Sequence, residues 1–174
     1  MKKRGQIWVE TVIYTLIGLS IIAIVLAMVK PAIDDRRDAI TIKQSIESLN
    51  VIDQQIESIK YLSEGNTRPI DIKISKGKMI VSGENDSITI IIDDSKHEYS
   101  QPGAMINVGG NVRALTEKKG GKFTVSLFLS YQNSLNITYQ GKDESHVFQV
   151  APSPYRISIR NNGVVGTLTN IDFF

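Results

Sequence analysis

Hydrophobic and polar residues follow three different patterns along this chain. After a basic start, apolar residues continue almost without interruption, and Thr11 to Val29 carries no charged side chain. From Ile40 onward the apolar residues recur every three or four positions, and from Ile70 they alternate with polar ones. These periods are typical of a membrane-length helix, an amphipathic helix and half-buried strands, in that order. The sequence therefore predicts an α+β fold with one long N-terminal helix.

The first apolar segment is long enough to cross a membrane. A hydrocarbon core of roughly 30 Å requires about 20 helical residues. Glu10 lies near the start of this segment, and an unpaired carboxylate in lipid would cost on the order of 2.5–3.5 kcal/mol. We therefore expect Glu10 to have a cationic partner. Pro31 follows the segment and is expected to bend or interrupt the helix, because proline lacks a backbone N–H.

The second pattern predicts a helix with one apolar face. Spacings of three and four residues place six aliphatic side chains on a single stripe: Ile42, Ile46, Leu49, Ile52, Ile56 and Ile59. The opposite face is polar, so the stripe is expected to pack on the protein's own globular head. A two-stranded coiled coil is the alternative interpretation, although fewer than three heptads are present. Gly65, Asn66 and Pro69 predict the end of the helix.

The third pattern predicts a head of short strands. Strands are expected at 70–74, 79–82, 87–92, 112–115, 123–131, 137–139, 147–150, 155–159 and 164–173. Asn162-Gly163 is a strong signal for a tight turn between the last two strands. Gly109-Gly110 and Gly120-Gly121 indicate turns or bulges, since neither pair stands between a strand and a helix. Short strands with frequent turn signals favour an antiparallel, β-sandwich-like head.

Composition narrows the possible functions further. The chain has 174 residues and no cysteine, so the head must be stable without disulfides. The net charge is +2, and removal of three N-terminal cations would lower it to −1. This near-neutral balance, without a basic stripe, argues against a protein that binds nucleic acid directly.

The N-terminus resembles the class III signal peptide of type IV pilins, particularly the archaeal form. In that family a short basic leader ends in glycine, and glutamate is the fifth residue of the mature chain. The matching positions are Lys2, Lys3, Arg4, Gly5, Gln6 and Glu10. The phenylalanine that commonly begins bacterial mature pilins is absent, which favours the archaeal branch or a divergent member.

The resemblance implies a structural filament subunit. A prepilin peptidase would cut after Gly5 and free the α-amine of Gln6, which could pair with Glu10 of a neighbouring copy in the filament core. The leader cations Lys2, Lys3 and Arg4 would hold the precursor's N-terminus in the cytoplasm. The implied partners are other copies of this chain in a helical homopolymer, membrane lipid before assembly, a pilus assembly ATPase and a membrane platform protein.

This interpretation divides the chain into four parts. Residues 1–5 are the leader, 6–30 the transmembrane and filament-core helix, 31–64 the amphipathic helix that packs on the head, and 65–174 the β-rich head. The precursor is expected to be anchored in the membrane with its head outside the cytoplasm. The mature form would lie in an extracellular filament on the cell surface.

Three alternatives stay open at this point. An ordinary secretory signal peptide would have a shorter apolar region and an A-x-A-like cleavage site, which is not evident around Ala27 to Ala32. A plain signal anchor would leave Glu10 at the membrane interface. A minor pilin-like or membrane-anchored β-domain would bind a ligand or adhere to a surface without forming long filaments.

The head offers little support for catalysis. His97 and His146 are the only histidines, and no nucleophile elbow surrounds any serine. Asp93, Asp94, His97 and Glu98 form one cluster with the chemistry to bind a cation, but it lacks the spacing of a calcium loop. The sequence favours a solvated turn there. We therefore expect no enzyme activity, no cofactor and no metal site.

Two sites fit the rule for N-glycosylation. They are Asn85, followed by Asp86-Ser87, and Asn136, followed by Ile137-Thr138. Asn85 is the preferred candidate, because Gly83 to Asp86 indicates an exposed loop.

Overall fold

The computed structural model describes the backbone of residues 3–174 and the side chains of residues 8–174. One helix, α1, spans Lys3–Ile59, and a series of strands follows it. The strands are β1 Thr67–Ile72, β2 Lys78–Ser82, β3 Ser87–Ser95, β4 Met105–Gly109, β5 Val112–Lys119, β6 Lys122–Ser130, β7 Leu135–Tyr139, β8 Ser145–Gln149, β9 Tyr155–Val165 and β10 Leu168–Phe173. The chain divides after Arg37 into two compact units, which are described separately.

The first unit is helical throughout its described part. Pro31 was expected to bend or interrupt the helix; α1 continues through this residue, so the interruption is wrong, and the bend stays a prediction. A proline removes a single N–H from the hydrogen-bond ladder, and the bonds on either side keep the chain helical. No residue from 8 to 37 is buried in the structure.

The second unit has one hydrophobic core, to which α1 contributes its aliphatic stripe. All six predicted residues of the stripe are buried, and Leu49, Ile52 and Ile56 are completely inaccessible to solvent. They belong to the same cluster as the inward-facing side chains of the strands. The stripe is therefore covered by the chain's own head, and the coiled-coil alternative is wrong.

The strands form two sheets. The smaller has the order β1-β9-β10-β7 and the larger the order β4-β5-β6-β3-β2-β8. Neighbouring strands are antiparallel except for β7 and β10, which are parallel. Burial alternates along strands such as β3, as expected when one face of a sheet covers a core. The predicted fold, a long helix followed by an antiparallel, sandwich-like head, is confirmed.

The last hairpin differs from the prediction. Asn162-Gly163 is not a turn between strands but an irregularity inside β9, and the turn falls at Gly166-Thr167. Val164 pairs with Thr169 and Asn161 with Ile171, so Asn162 and Gly163 together oppose one residue of β10. This two-against-one arrangement is a β-bulge.

The bulge is stabilised by Asn161, which caps the C-terminus of α1. Its amide nitrogen donates to the carbonyl oxygens of Ile59 at 2.9 Å and Leu62 at 3.0 Å. Its side-chain oxygen accepts a 2.8 Å hydrogen bond from the Gly163 N–H. Gly163 has a φ of +83°, a conformation that favours glycine, and a Cβ there would stand 2.9 Å from a carboxylate oxygen of Glu64. Asn161 therefore ties the end of the helix to the sheet, and β9 continues past the Asn-Gly pair.

Two buried carboxylates attach α1 to the strands and loops around it. Asp38 accepts hydrogen bonds from Lys76 Nζ at 2.6 Å and from the Lys96 N–H at 2.7 Å. Asp53 accepts one from the Tyr131 hydroxyl at 2.7 Å and another from Asn111 Nδ2 at 2.9 Å. Because each carboxylate bonds to residues far away in sequence, these pairs fix how the helix lies on the head.

The glycine pairs behave as predicted, whereas one strand was missed. Gly120-Gly121 forms a two-residue turn between β5 and β6, and both glycines have positive φ, as a type I′ turn requires. Gly109-Gly110 lies at the turn after β4, where the pairing with β5 shifts register. β4 itself was not predicted, because it is an edge strand and its side chains are mostly exposed.

Candidate functional site

The first candidate site is the apolar surface of α1 in the first unit. The large hydrophobic side chains from Trp8 to Val29 are all exposed, with Trp8 at 73% and Met28 at 74%. Monomeric soluble proteins rarely expose apolar patches larger than about a few hundred Å². Within residues 8–174, α1 is the one helix long and apolar enough to cross a membrane. This surface is compatible with membrane anchoring.

Two hydroxyl groups on this surface donate hydrogen bonds within the helix. The Thr15 hydroxyl donates to the Thr11 carbonyl oxygen at 2.8 Å, and the Ser20 hydroxyl donates to that of Leu16 at 2.8 Å. Such bonds to the preceding turn need no water. The hydroxyl protons of Thr15 and Ser20 therefore keep their acceptors when the helix lies in lipid.

Glu10 is the exception on this surface. Its side chain is exposed, and no side chain of residues 8–174 forms an ion pair with it. Lys30 is the next charged residue along the helix. The separation of 20 residues corresponds to roughly 30 Å at 1.5 Å per residue. A cation for Glu10 must therefore come from residues before Trp8 or from another molecule.

The predicted processing residues precede the described side chains. Lys2 lies outside the described residues altogether. The backbone of Lys3, Arg4, Gly5 and Gln6 belongs to α1, while their side chains lie outside the described part. The roles assigned to these residues stay predictions.

The two glycosylation sites lie in different surroundings. Asn85 is exposed in the turn between β2 and β3, where its amide nitrogen donates to the Ser82 hydroxyl at 3.3 Å. Asn136 is half-buried in β7, and the hydroxyl of its acceptor residue Thr138 donates to Asp172 at 2.8 Å. The geometry favours Asn85, and modification of either site stays a prediction.

The acidic cluster at the end of β3 is part of the protein's surface. Asp94 forms an exposed ion pair with Lys122 at 3.1 Å, and Asp93 accepts a 3.2 Å hydrogen bond from the Thr124 hydroxyl. Within residues 8–174, no three histidine, cysteine or acidic residues come together as ligands for a metal ion.

The structure also brings together a cluster of rings that the sequence interpretation did not recognise as a site. The rings line a cavity of about 360 Å³, together with an arginine at its edge. We call this cavity the aromatic cleft and define it by Tyr139, His146, Phe148, Tyr155, Arg156 and Phe174.

The topology of the smaller sheet explains the cluster. Since β7 and β10 are parallel and β9 is antiparallel to β10, the ends of β7 and β10 lie at the same end of the sheet as the start of β9. β8, the edge strand of the larger sheet, supplies His146 and Phe148. The rings come from β7, β8, β9 and the residue after β10, so no single pattern in the sequence marks the cleft.

Contacts among the rings hold the cleft in shape. Tyr139 and His146 stack with centroids 3.9 Å apart and planes 7° from parallel. Phe148 makes edge contacts with His146 at 4.6 Å and with Tyr155 at 5.2 Å. Aromatic pairs at such distances contribute about 0.5–1.5 kcal/mol beyond their burial.

Comparison with protein-family models, curated proteins and solved structures gives no match to this chain.

Proposed function

We propose that this protein is the structural subunit of an extracellular, type IV pilus-like filament. The observation that carries the proposal is the distribution of polarity along α1. Its first part is apolar on all sides and exposed, whereas its second part buries one stripe in the head. The first part of such a helix can pack against other helices in the core of a polymer. The second part can at the same time support the head of its own chain, because its apolar stripe is buried there.

Glu10 favours a filament subunit over a simple membrane anchor. A membrane anchor has no need for a carboxylate in its apolar segment, since an unpaired charge opposes insertion. Processing after Gly5 would place a new α-amine four residues before Glu10, and the same amine on an adjacent copy would be equally available. In a filament core of packed helices, this pairing would select the register between copies.

The proposal also assigns the remaining partners and the location. The precursor would be held in the membrane by α1, cleaved by a prepilin peptidase, and polymerised by a cytoplasmic ATPase acting through a membrane platform protein. The mature chain would then lie in a filament on the cell surface. The polar bonds from Asp38, Asp53 and Asn161 would transmit mechanical load from the helix to the head.

The test compares Glu10→Gln with Glu57→Gln in cells that lack the natural copy of the gene. Both changes remove one carboxylate from an exposed position on α1, but Glu57 lies beside the head and pairs with Lys60. We expect Glu10→Gln to leave the precursor in the membrane and to lower the yield of sheared fibres at least tenfold. Glu57→Gln should give the wild-type yield.

Mass spectrometry of the wild-type mature N-terminus completes the test. A chain that begins at Gln6 agrees with the proposal, and fibres should be visible by electron microscopy. An uncut Met1 terminus together with the absence of fibres would instead identify a membrane-anchored β-domain that acts by binding. A normal fibre yield from Glu10→Gln would refute the role of the carboxylate in assembly.

A further inference from the structure

We propose that the aromatic cleft of the head is a binding site for a neutral or acidic saccharide ring. This site lies in the second unit and does not depend on the proposed function of α1. The inference rests on the size of the cleft, the kind of surface it offers, its charge and the rigidity of its walls.

The size suits a small ligand or the end of a longer one. The cavity of about 360 Å³ lies within the range of roughly 300–1,000 Å³ that is usual for ligand sites. The cleft is open on the side where Phe174 and Arg156 are exposed. A saccharide at the end of a chain could enter while the rest of the chain extends into solvent.

The surface of the cleft combines ring faces with polar groups. Sugar rings have an apolar face of C–H groups and a polar edge of hydroxyls, so they need both kinds of contact. Phe174 is 39% exposed, and the Arg160 guanidinium lies over one face of its ring, 4.1 Å from the centroid. The other face and the edge of the ring are therefore the parts that a ligand could contact. Hydroxyl, imidazole and guanidinium groups on Tyr139, His146 and Arg156 supply hydrogen-bond donors and acceptors nearby.

The charge of the cleft argues against a cation, which is the main competing ligand for an aromatic site. A cationic ligand would also favour ring faces, but the Arg156 guanidinium at the edge of the cleft would repel it. The described lining of the cleft contains Arg156 and His146 and no aspartate or glutamate. Arg156 forms an exposed ion pair with Asp71 at 3.2 Å, which a ligand can replace at little cost. This balance favours a neutral sugar or one that carries a carboxylate.

The walls are rigid enough to bind without large rearrangement. The stack of Tyr139 on His146 and the edge contacts of Phe148 restrict the rotation of these rings. Phe174 is fixed through its backbone, since its N–H donates to the Ser158 carbonyl at 3.1 Å and its own carbonyl accepts from Ser158 at 2.8 Å. A preformed site loses less entropy when it binds.

The experiment uses the full chain in phosphatidylcholine nanodiscs, because sugar-based detergents would compete for the site. The probes are the methyl glycosides of glucose, galactose, N-acetylglucosamine and glucuronic acid. Binding is measured by saturation-transfer difference NMR with a titration of each probe. We expect at least one probe to bind, and Phe174→Leu to raise its Kd roughly fivefold or more, as the loss of one stacking ring implies.

Three further variants separate stacking from other effects. Phe174→Trp keeps an aromatic face and should retain binding, and Tyr61→Leu removes an 85% exposed ring outside the cleft and should change nothing. Arg156→Gln should weaken the binding of methyl glucuronide more than the binding of methyl glucoside. This variant tests the site even if Phe174→Leu disturbs folding. The proposal is overturned if no probe binds, or if neither Phe174→Leu nor Arg156→Gln alters the binding observed.

Discussion

At the scale of single residues, Tyr131 shows how the head changes the chemistry of a side chain. Its hydroxyl is buried and donates to Asp53 at 2.7 Å. Burial raises the pKa of Tyr131 well above its ordinary value of 10.0, and the hydrogen bond to Asp53 raises it further. The pKa rises because the phenolate form of Tyr131 would have neither water nor a hydrogen-bond donor around it, and it would lie beside the Asp53 carboxylate.

This shift predicts how stability depends on pH. Above about pH 10 the unfolded chain loses the Tyr131 proton while the native protein retains it, so the free energy of unfolding should fall as the pH rises. The slope from this group approaches about 1.4 kcal/mol per pH unit. Urea unfolding of the full chain in detergent between pH 9 and pH 11 measures it. A smaller contribution of the same sign is expected from Tyr99, whose pKa is raised by burial.

Tyr131→Phe should reduce this slope and lower stability near pH 7 by about 1–3 kcal/mol, because Asp53 loses a buried hydrogen bond. Tyr61→Phe is the control, since Tyr61 is exposed and its change should affect neither quantity. An unchanged slope in Tyr131→Phe would contradict the assignment.

At the scale of elements, the second part of α1 has two faces with opposite roles. Leu49 is completely buried in the core, and Val51, two positions later, is 48% exposed. Removal of a buried leucine side chain takes away its burial and also leaves a cavity, whereas an exposed valine loses few contacts. Leu49 and Val51 thus allow a buried and an exposed position on the same helix to be compared.

We expect Leu49→Ala to lower the free energy of unfolding by about 2–5 kcal/mol and Val51→Ala to change it by less than about 0.5 kcal/mol. Chemical denaturation of the full chain, followed by circular dichroism, measures both. Equal effects of the two changes would mean that the stripe is not packed as described.

Other elements show where local signals were sufficient and where they failed. The stripe from Ile42 to Ile59 could be predicted because helical period depends only on nearby residues. The bulge at Asn162-Gly163 could not be predicted, because it depends on a distant contact. Asn161 bonds to the end of α1, about a hundred residues earlier in the chain, and β9 continues past the Asn-Gly pair. Local turn preference of the Asn-Gly pair was outweighed by that buried contact.

At the scale of the whole molecule, the two units differ in how they reach stability. Every buried hydrophobic residue lies between Ile42 and Phe173, within the second unit. The described residues before Asp38 bury none of their side chains. The second unit therefore contains all that its core needs.

We expect residues 36–174 to fold as a soluble fragment without the apolar part of α1. The fragment should be monomeric by size-exclusion chromatography and should unfold in one cooperative transition. A shorter fragment, residues 50–174, lacks Ile42, Ile46 and Leu49 and should fail to fold. Aggregation or non-cooperative unfolding of the longer fragment would contradict the division after Arg37.

The candidate sites follow the same division between local and long-range information. The apolar segment with Glu10 is a property of consecutive residues and could be found by reading the chain. The aromatic cleft could not, because its rings become neighbours only through the parallel pairing of β7 with β10 and the approach of β8.

The sequence by itself determined the long helix, its change from all-round to one-sided polarity, the β-rich head and the isolation of Glu10. These features depend on periodicity, composition and chain distance, which are local. The tertiary structure decided the order of the strands, the bulge at Asn162-Gly163, the buried partners of Asp53 and Asn161, and the aromatic cleft. Each of these depends on which distant segments share one core, and that choice is made by the packing of the whole head.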